Sequence, residues 1–295
     1  MKRYLFALLQ WTRVLSFVSW LNRKKVTILS YHSVLDGDEP ACFDPYKQHI
    51  PLRLFQKHLD YLQHNRTVIS LSEFLRAKRE HLRLPNYSVV LTFEDGFEDF
   101  YTVAASQLAQ RQLTATVFII TDRADGRLPP NGESFLSWQQ VQKLASRGME
   151  IGSHTCSHPR LPELRLEEVR RELADSRATI IAQLNPPDVP LSFPHGRTSE
   201  SISQLAQSLG YSCAITTTLG FNGRDADIFA LRRTTIASDD DLATFVARVS
   251  GLTWWISILR RIIFGAENEN ELQPDRSVSY EPLATETYDY AEPTS

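Results

Sequence analysis

The chain has 295 residues, 42 % of them apolar and 23 % charged, with a formal net charge of −3. That is enough chain for one large core of the ordinary globular kind, and the charge excludes a strongly basic nucleic-acid binder. Cys42, Cys156 and Cys213 are scattered with no Cys-x-x-Cys, which argues against a disulfide framework and fits a reducing compartment.

Met1 to Lys25 opens with Lys2 and Arg3, and no small-residue cleavage site follows, so a cleaved signal peptide is not expected. Its longest apolar run is too short for a membrane span. Tyr4, Ala7, Leu8, Trp11, Val14, Leu15 and Val18 instead fall on one helical face, which predicts an amphipathic helix flanked by Arg23, Lys24 and Lys25. Val26 to His32 is the first predicted strand, and Asp36 to Pro40 a loop. Leu54–Leu62 and Leu71–Leu82 read as amphipathic helices with a short extended piece, Thr67–Ser70, between them. Ser88 to Phe93 is a β-branched apolar run of the kind found in buried parallel strands, ending in Glu94-Asp95-Gly96. A helix follows through Val103, Leu108 and Leu113, then a strand over Ala115–Ile120 and a loop from Asp122 to Gly132.

Ser137 caps a helix reaching Gly148, and Glu150 to His154 is the next strand end. Leu166–Leu184 is a charged amphipathic helix stopped by Pro186-Pro187. Leu191–Gly196 is a strand and turn, Glu200–Leu209 a helix capped by Ser199, Ser212–Thr217 a strand, and Phe229–Ile236 the last strand. Gly251–Phe264 is amphipathic again, with Trp254, Trp255, Ile258, Leu259 and Ile262 on one side. Residues 266–295 carry eight acids and one arginine, a net of −7 that leaves about +4 on residues 1–265, and read as a disordered acidic tail. Repeated strand-then-helix units argue an α/β fold, a parallel barrel or doubly wound sheet.

Neighbouring residues at a strand end point different ways, so Glu94 and Asp95 can serve as proton acceptor and metal ligand. Taken alone the pair reads first as a helix-capping acid beside a solvated one. Further on, His154-Thr155-Cys156-Ser157-His158 sets two imidazoles four residues apart, stacked on one side if the chain turns into a helix there. Two histidines and a carboxylate with an open position suit a catalytic zinc site. Asp95 and His154 both follow predicted parallel strands, whose C-terminal ends share one face of a barrel.

With these motifs in view, the chain resembles the polysaccharide deacetylase family, metal-dependent amidases built on a distorted (β/α) barrel. Thr92-Phe93-Glu94-Asp95-Gly96 is similar to the family's Thr-Phe-Asp-Asp-Gly motif, and Ser153 to His158 matches its Ser-His-Thr-x-x-His motif. Phe193-Pro194-His195-Gly196 is similar to the Tyr-Pro-Tyr-Gly turn of the exopolysaccharide-modifying branch. Leu136-Ser137-Trp138, Leu209-Gly210-Tyr211 and Leu231-Arg232-Arg233 sit where that branch has comparable residues. The resemblance covers about residues 26–250, bounded by the helices at 1–25 and 251–265 and the tail at 266–295. It implies Asp95, His154 and His158 as ligands of a divalent metal, zinc first. It also implies Glu94 as the base that takes the water's proton, and a substrate wall including Pro194, His195 and Trp138.

Two positions depart from the pattern. Glu94 replaces an aspartate, moving the carboxylate by about an ångström, a displacement that can cost on the order of a hundredfold in rate. The family's late Leu-x-His is absent, since no histidine follows His195. Tyr31-His32 matches the exopolysaccharide branch's N-terminal Tyr-His, so His32 is the candidate acid for the departing amine; the other reading is a histidine that caps a strand. His195 either binds sugar hydroxyls or packs. His49, His58, His64 and His81 are expected to be solvated, and Cys156 to be a small filler.

The expected function is removal of N-acetyl groups from N-acetylhexosamine units of a polysaccharide or glycan precursor. The alternatives are a catalytically silent glycan-binding homologue and an O-acetyl esterase using the same site. The expected partner is a glycan, not nucleic acid, and the expected location is cytoplasmic. The two terminal helices either attach the protein peripherally to a membrane or pack on the barrel.

Overall fold

The structure, a computed structural model, describes residues 14–37, 47–124 and 133–264. Helix α1 (Val14–Asn22) leads into strand β1 (Thr27–Tyr31), and two short strands follow, β2 (Ser33–Leu35) and β3 (His49–Pro51), which pair with each other. Next come α2 (Leu52–Asn65), β4 (Thr67–Val68), α3 (Leu71–Arg79) and β5 (Ser88–Phe93). A π-helical turn (Phe100–Ala104) runs into α4 (Ala105–Gln110), followed by β6 (Thr116–Ile119), α5 (Trp138–Ser146), β7 (Glu150–Ser153) and α6 (Leu166–Leu184). The order closes with β8 (Leu191–Ser192), α7 (Glu200–Ser208), β9 (Ala214–Ile215), β10 (Thr234–Thr235), α8 (Leu242–Ser250) and α9 (Leu252–Phe264).

The main sheet is parallel and runs β10-β1-β5-β6-β7-β8-β9, with β4 added beside β5. Leu231 bridges Ile215 of β9, while Thr234 and Thr235 pair with Leu29 and Ser30 of β1. One short segment therefore touches both edges and curls the sheet into a half-barrel with helices around it. Parallel strands covered on both faces read as continuous apolar runs, and all six residues of β5 are buried.

Side chains alternate between two cores. Leu29, Tyr31, Leu91, Phe93 and Val117 face outward to the helices, whereas Ile28, Val90, Phe118, Ile215 and Leu231 fill the barrel, plugged from below by Phe74 of α3. Phe118 is fully buried there, and its truncation to alanine would cost about 3–5 kcal/mol. Gly152 gives it room, since a Cβ at that position would lie 2.5 Å from the Phe118 ring. The inner rows run Ile28–Ser30–His32 and Val90–Thr92–Glu94 and are in register with each other. Their polarity rises toward the strands' C-terminal ends, which is where the site forms.

Several predicted elements differ from those observed. The small β2–β3 sheet and α8 were not foreseen; α8 is capped by Asp241, which accepts from the Thr244 amide, and buries Phe245, Val246 and Val249. The strand expected over Phe229–Ile236 shrinks to the Leu231 bridge and β10, because its residues serve two edges in turn. His58 is not solvated: it lies on the buried face of α2, stacked on Phe245 at 3.9 Å and hydrogen-bonded to the Tyr31 hydroxyl at 3.3 Å. His49 is half-buried, with Nδ1 2.8 Å from Ser33 Oγ. Residues 1–13, most of the loops predicted at 36–40 and 122–132, and the acidic tail lie outside the described residues.

Candidate metal centre

Strand β5 ends at Phe93, and the Glu94 amide still donates to the Tyr31 carbonyl at 2.9 Å. Asp95 then takes φ 68° and Gly96 φ 74°, a left-handed turn that throws Glu94 and Asp95 to different sides. A non-glycine residue in that region costs about 1–2 kcal/mol, least for Asp and Asn. Gly96 is needed twice over, for its φ and because a Cβ there would sit 3.0 Å from Ile119 Cγ2.

The segment after β7 is not the helix that would stack His154 over His158. Thr155 (φ 67°) and His158 (φ 66°) are left-handed, and the rings meet across a tight turn instead. Side chains take the place of a helical ladder. Thr155 Oγ1 accepts from the His158 amide at 3.0 Å, and Glu172 of α6 accepts from the Cys156 and Ser157 amides at 2.9 and 3.0 Å. Below the turn, Ser153 Oγ accepts from the Thr155 amide at 3.1 Å and from the Tyr211 hydroxyl at 3.0 Å.

These two turns bring together three atoms. His154 Nε2 and His158 Nε2 stand 3.2 Å apart, and Asp95 Oδ1 is 3.3 and 3.4 Å from them. His154 Nδ1 lies 2.7 Å from the Ser192 carbonyl, which can only accept, so Nδ1 carries the proton and Nε2 presents a lone pair. Asp95 Oδ1 is buried with no hydrogen-bond donor. Acceptors this close repel unless something positive lies among them. Ligands held at about 2.0–2.1 Å in a tetrahedron stand about 3.3–3.4 Å from one another, the size of this triangle. Asp95, His154 and His158 could therefore hold a metal ion. Burial, with His154 beside it, keeps His158 neutral, the form a ligand needs.

Glu94 is enclosed separately. Oε1 is 2.7 Å from Arg233 Nη1 and is approached by Ser30 Oγ at 3.3 Å and Thr92 Oγ1 at 3.4 Å. Oε2 accepts from Ser192 Oγ at 2.6 Å and faces His154 Nε2 at 3.7 Å. Arg233 also donates to Ser192 Oγ at 2.9 Å, closing a triangle of Arg233, Ser192 and Glu94. Burial would raise this carboxyl; Arg233, His154 and the Ser192 hydroxyl more than reverse that, and Glu94 is ionised at neutral pH. The roles of Arg233 and Ser192 were missed in the sequence. The only signal was the Leu231-Arg232-Arg233 run, whose second arginine is the one that reaches Glu94.

His32 lies one residue beyond β1, partly exposed, with its Nδ1 buried. Burial lowers its pKa, while Asp95 and Glu94 pull the other way. His195 (φ 56°) sits in the turn after β8, its ring 4.6 Å from that of His158, and Pro194 before it is buried. Trp138 begins α5 and packs half-buried against the main core. Cys156 packs against α6, its thiol pushed up to about 12 by burial.

Residues 82–214 match the family model described as Polysaccharide deacetylase. This stretch is a polysaccharide deacetylase domain. The chain is 26 % identical over 238 residues, 79 % of its length and 80 % of the relative's, to YxkH of Bacillus subtilis (strain 168), which is named for the same family. It is 34 % identical over 97 residues to the poly-beta-1,6-N-acetyl-D-glucosamine N-deacetylase of Escherichia coli (strain K12), a match spanning 30 % of this chain and 14 % of that protein. In fold it is similar to the Streptococcus pyogenes deacetylase PplD, at TM-score 0.68 and 24 % identity over 77 % of this chain and 99 % of that one. IcaB from Ammonifex degensii is similar at TM-score 0.66 and 21 % identity over 77 % and 97 % of the two chains. The matched part of the deacetylase domain supplies Glu94, Asp95, His154, His158 and Ser192. His32 and Arg233 reach the same site from outside it, on β1 and at the start of the closing strand.

Proposed function

We propose that this protein is a metal-dependent hydrolase that removes N-acetyl groups from N-acetylhexosamine units of a polysaccharide or glycan precursor. The observation that carries the reading is the triangle of lone-pair atoms from Asp95, His154 and His158, 3.2–3.4 Å on each side, beside the buried and ionised Glu94. The name of the Escherichia coli relative supports the choice of substrate. A divalent cation held in the triangle, zinc by its affinity for imidazole and carboxylate together, would supply a hydroxide-like nucleophile and polarise the acetyl carbonyl.

The chain's own residues do the rest. Arg233 pins Glu94 Oε1, so Oε2, the oxygen nearest His154, accepts the attacking water's proton. His32 then protonates the departing amine. Its affinity for a proton is supported by ionised Asp95 and, after it, ionised Glu94. Once Glu94 takes up a proton that part of the support is lost and His32 becomes a stronger acid, at the stage when the amine must leave. His195, its ring 4.6 Å from that of His158, would bind the sugar.

The test is acetate release from N-acetylglucosamine oligomers, with bound metal measured alongside. Wild type should hold about one equivalent of metal and release acetate. His154→Ala should lose both. Glu94→Gln should keep the metal and lose about 10²–10⁴ in turnover. A wild type that never binds metal, or a fully active Glu94→Gln, would overturn the reading; release from O-acetylated sugars alone would replace it with an esterase.

A further inference from the structure

The helices α1 and α9 touch each other and pack on α8 through one small cluster, Leu15, Val18, Val246, Ala247 and Leu252. That cluster uses only one side of each helix. On α1, Phe17, Trp20 and Leu21 remain 60, 49 and 44 % exposed; on α9, Leu259, Ile262 and Ile263 remain 53, 74 and 67 % exposed. Each set has the i, i+3, i+4 spacing of a single helical stripe, so two apolar stripes stand open on neighbouring helices. Exposed aliphatic and aromatic stripes of this size are unusual on an isolated protein surface.

The charge around them has one sign. Residues 14–25 and 252–263 contain five Lys or Arg and no Asp or Glu, in a chain whose net charge is −3. Arg23 stands over Trp20, its guanidinium carbon 4.2 Å from the ring centre, and Lys25 stands 5.1 Å from the ring centre of Trp254. A small notch beside α1 is lined by Lys25 and Arg66 together with Ser19, Asn22, Phe221 and Val249.

We infer that α1 and α9 together form a docking surface for an anionic phospholipid bilayer, lying in its interface with the apolar stripes among the acyl chains and the cations at the phosphates. The charge complementarity and the tryptophan at the edge of an apolar stripe are what such an interface selects. No single described helix is long and apolar enough to cross a membrane. Because α1 leads into the N-terminal end of β1 while His32 follows its other end, α1 and the cluster of Asp95, His154 and His158 lie at opposite ends of the sheet. None of this depends on the catalytic reading.

The test is co-sedimentation of the full chain with phosphatidylcholine vesicles, with and without phosphatidylglycerol, at low and high salt. Wild type should bind the anionic vesicles and release as salt rises. Ile262→Ser with Ile263→Ser should weaken binding by at least about tenfold, and Lys24→Glu by at least about fivefold. Hydrolysis of a soluble oligomer, the far-ultraviolet spectrum and the melting temperature should stay unchanged in each variant. Failure to bind anionic vesicles, or binding that both variants retain, would overturn the proposal. So would a wild-type dimer that the isoleucine variant dissociates, since a second copy would then cover the face.

Discussion

Glu94→Asp is the substitution that tests how this site is built. The glutamate reaches Arg233 Nη1 at 2.7 Å with one oxygen and Ser192 Oγ at 2.6 Å with the other. Removing a methylene retracts the carboxylate by about 1.5 Å, the length of one carbon–carbon bond, which takes both contacts out to roughly 4 Å. Each is a charge-assisted hydrogen bond worth about 1.5–3 kcal/mol. Buried Arg233 would be left without its counter-ion, and losing one partner of a buried pair costs about 3–5 kcal/mol. The base would also sit farther from the water it must deprotonate, at a cost on the order of a hundredfold in rate. Urea unfolding and acetate release measure the two effects. Adding Ser192→Ala should cost less in the aspartate variant than in wild type, because the two side chains act as a unit. If Glu94→Asp were as stable as wild type and hydrolysed substrate as fast, the pocket would not be shaped to the longer acid, and the account given for Arg233, Ser192, Ser30 and Thr92 would fail.

Arg233→Met leaves Glu94 buried without its cation, so the carboxyl pKa rises and the acidic limb of the pH–rate profile moves to higher pH; an unmoved limb would refute the positioning role. His58 is held neutral, its pKa lowered from 6.5 to about 3 by burial, so the unfolded chain takes up its proton first and stability is lost as pH falls below 6.5. His58→Phe keeps the stack on Phe245 and should remove up to about 5 kcal/mol of that acid loss, read from urea midpoints between those pH values. Asp99 behaves in the opposite sense: burial raises it from 3.8 to about 6 although it accepts a hydrogen bond from Ser33. Stability should therefore fall as pH rises through that range, by at most about 3 kcal/mol, and Asp99→Asn should flatten the slope; a variant that titrates like wild type would count against it.

Local pattern made much of this protein legible. The continuous apolar run of β5, buried on both faces, marks a parallel strand, and alternation at its end separates Glu94 from Asp95. Leu166–Leu184 is observed with the predicted bounds, since its stop is a local event: Asn185 takes a left-handed conformation before two prolines. Helix α8 was missed because its apolar residues pack on three other elements, and β2 and β3 because runs of three residues have no readable period. His58 was misjudged for a related reason, because a histidine on an amphipathic helix is solvated or buried according to what the other elements place against it.

Residue type and short-range spacing thus determined which side chains could carry the chemistry, namely the two acids at a strand end and the two histidines of one turn. Whether those groups meet was decided only by the closing of the sheet. Asp95 and His154 belong to strands separated by β6, and Arg233 reaches Glu94 only because the segment from Leu231 to Thr235 bridges β9 and β1. Contacts of that kind depend on how strands far apart in the chain are ordered and curved around a common core, and local sequence does not encode that ordering residue by residue.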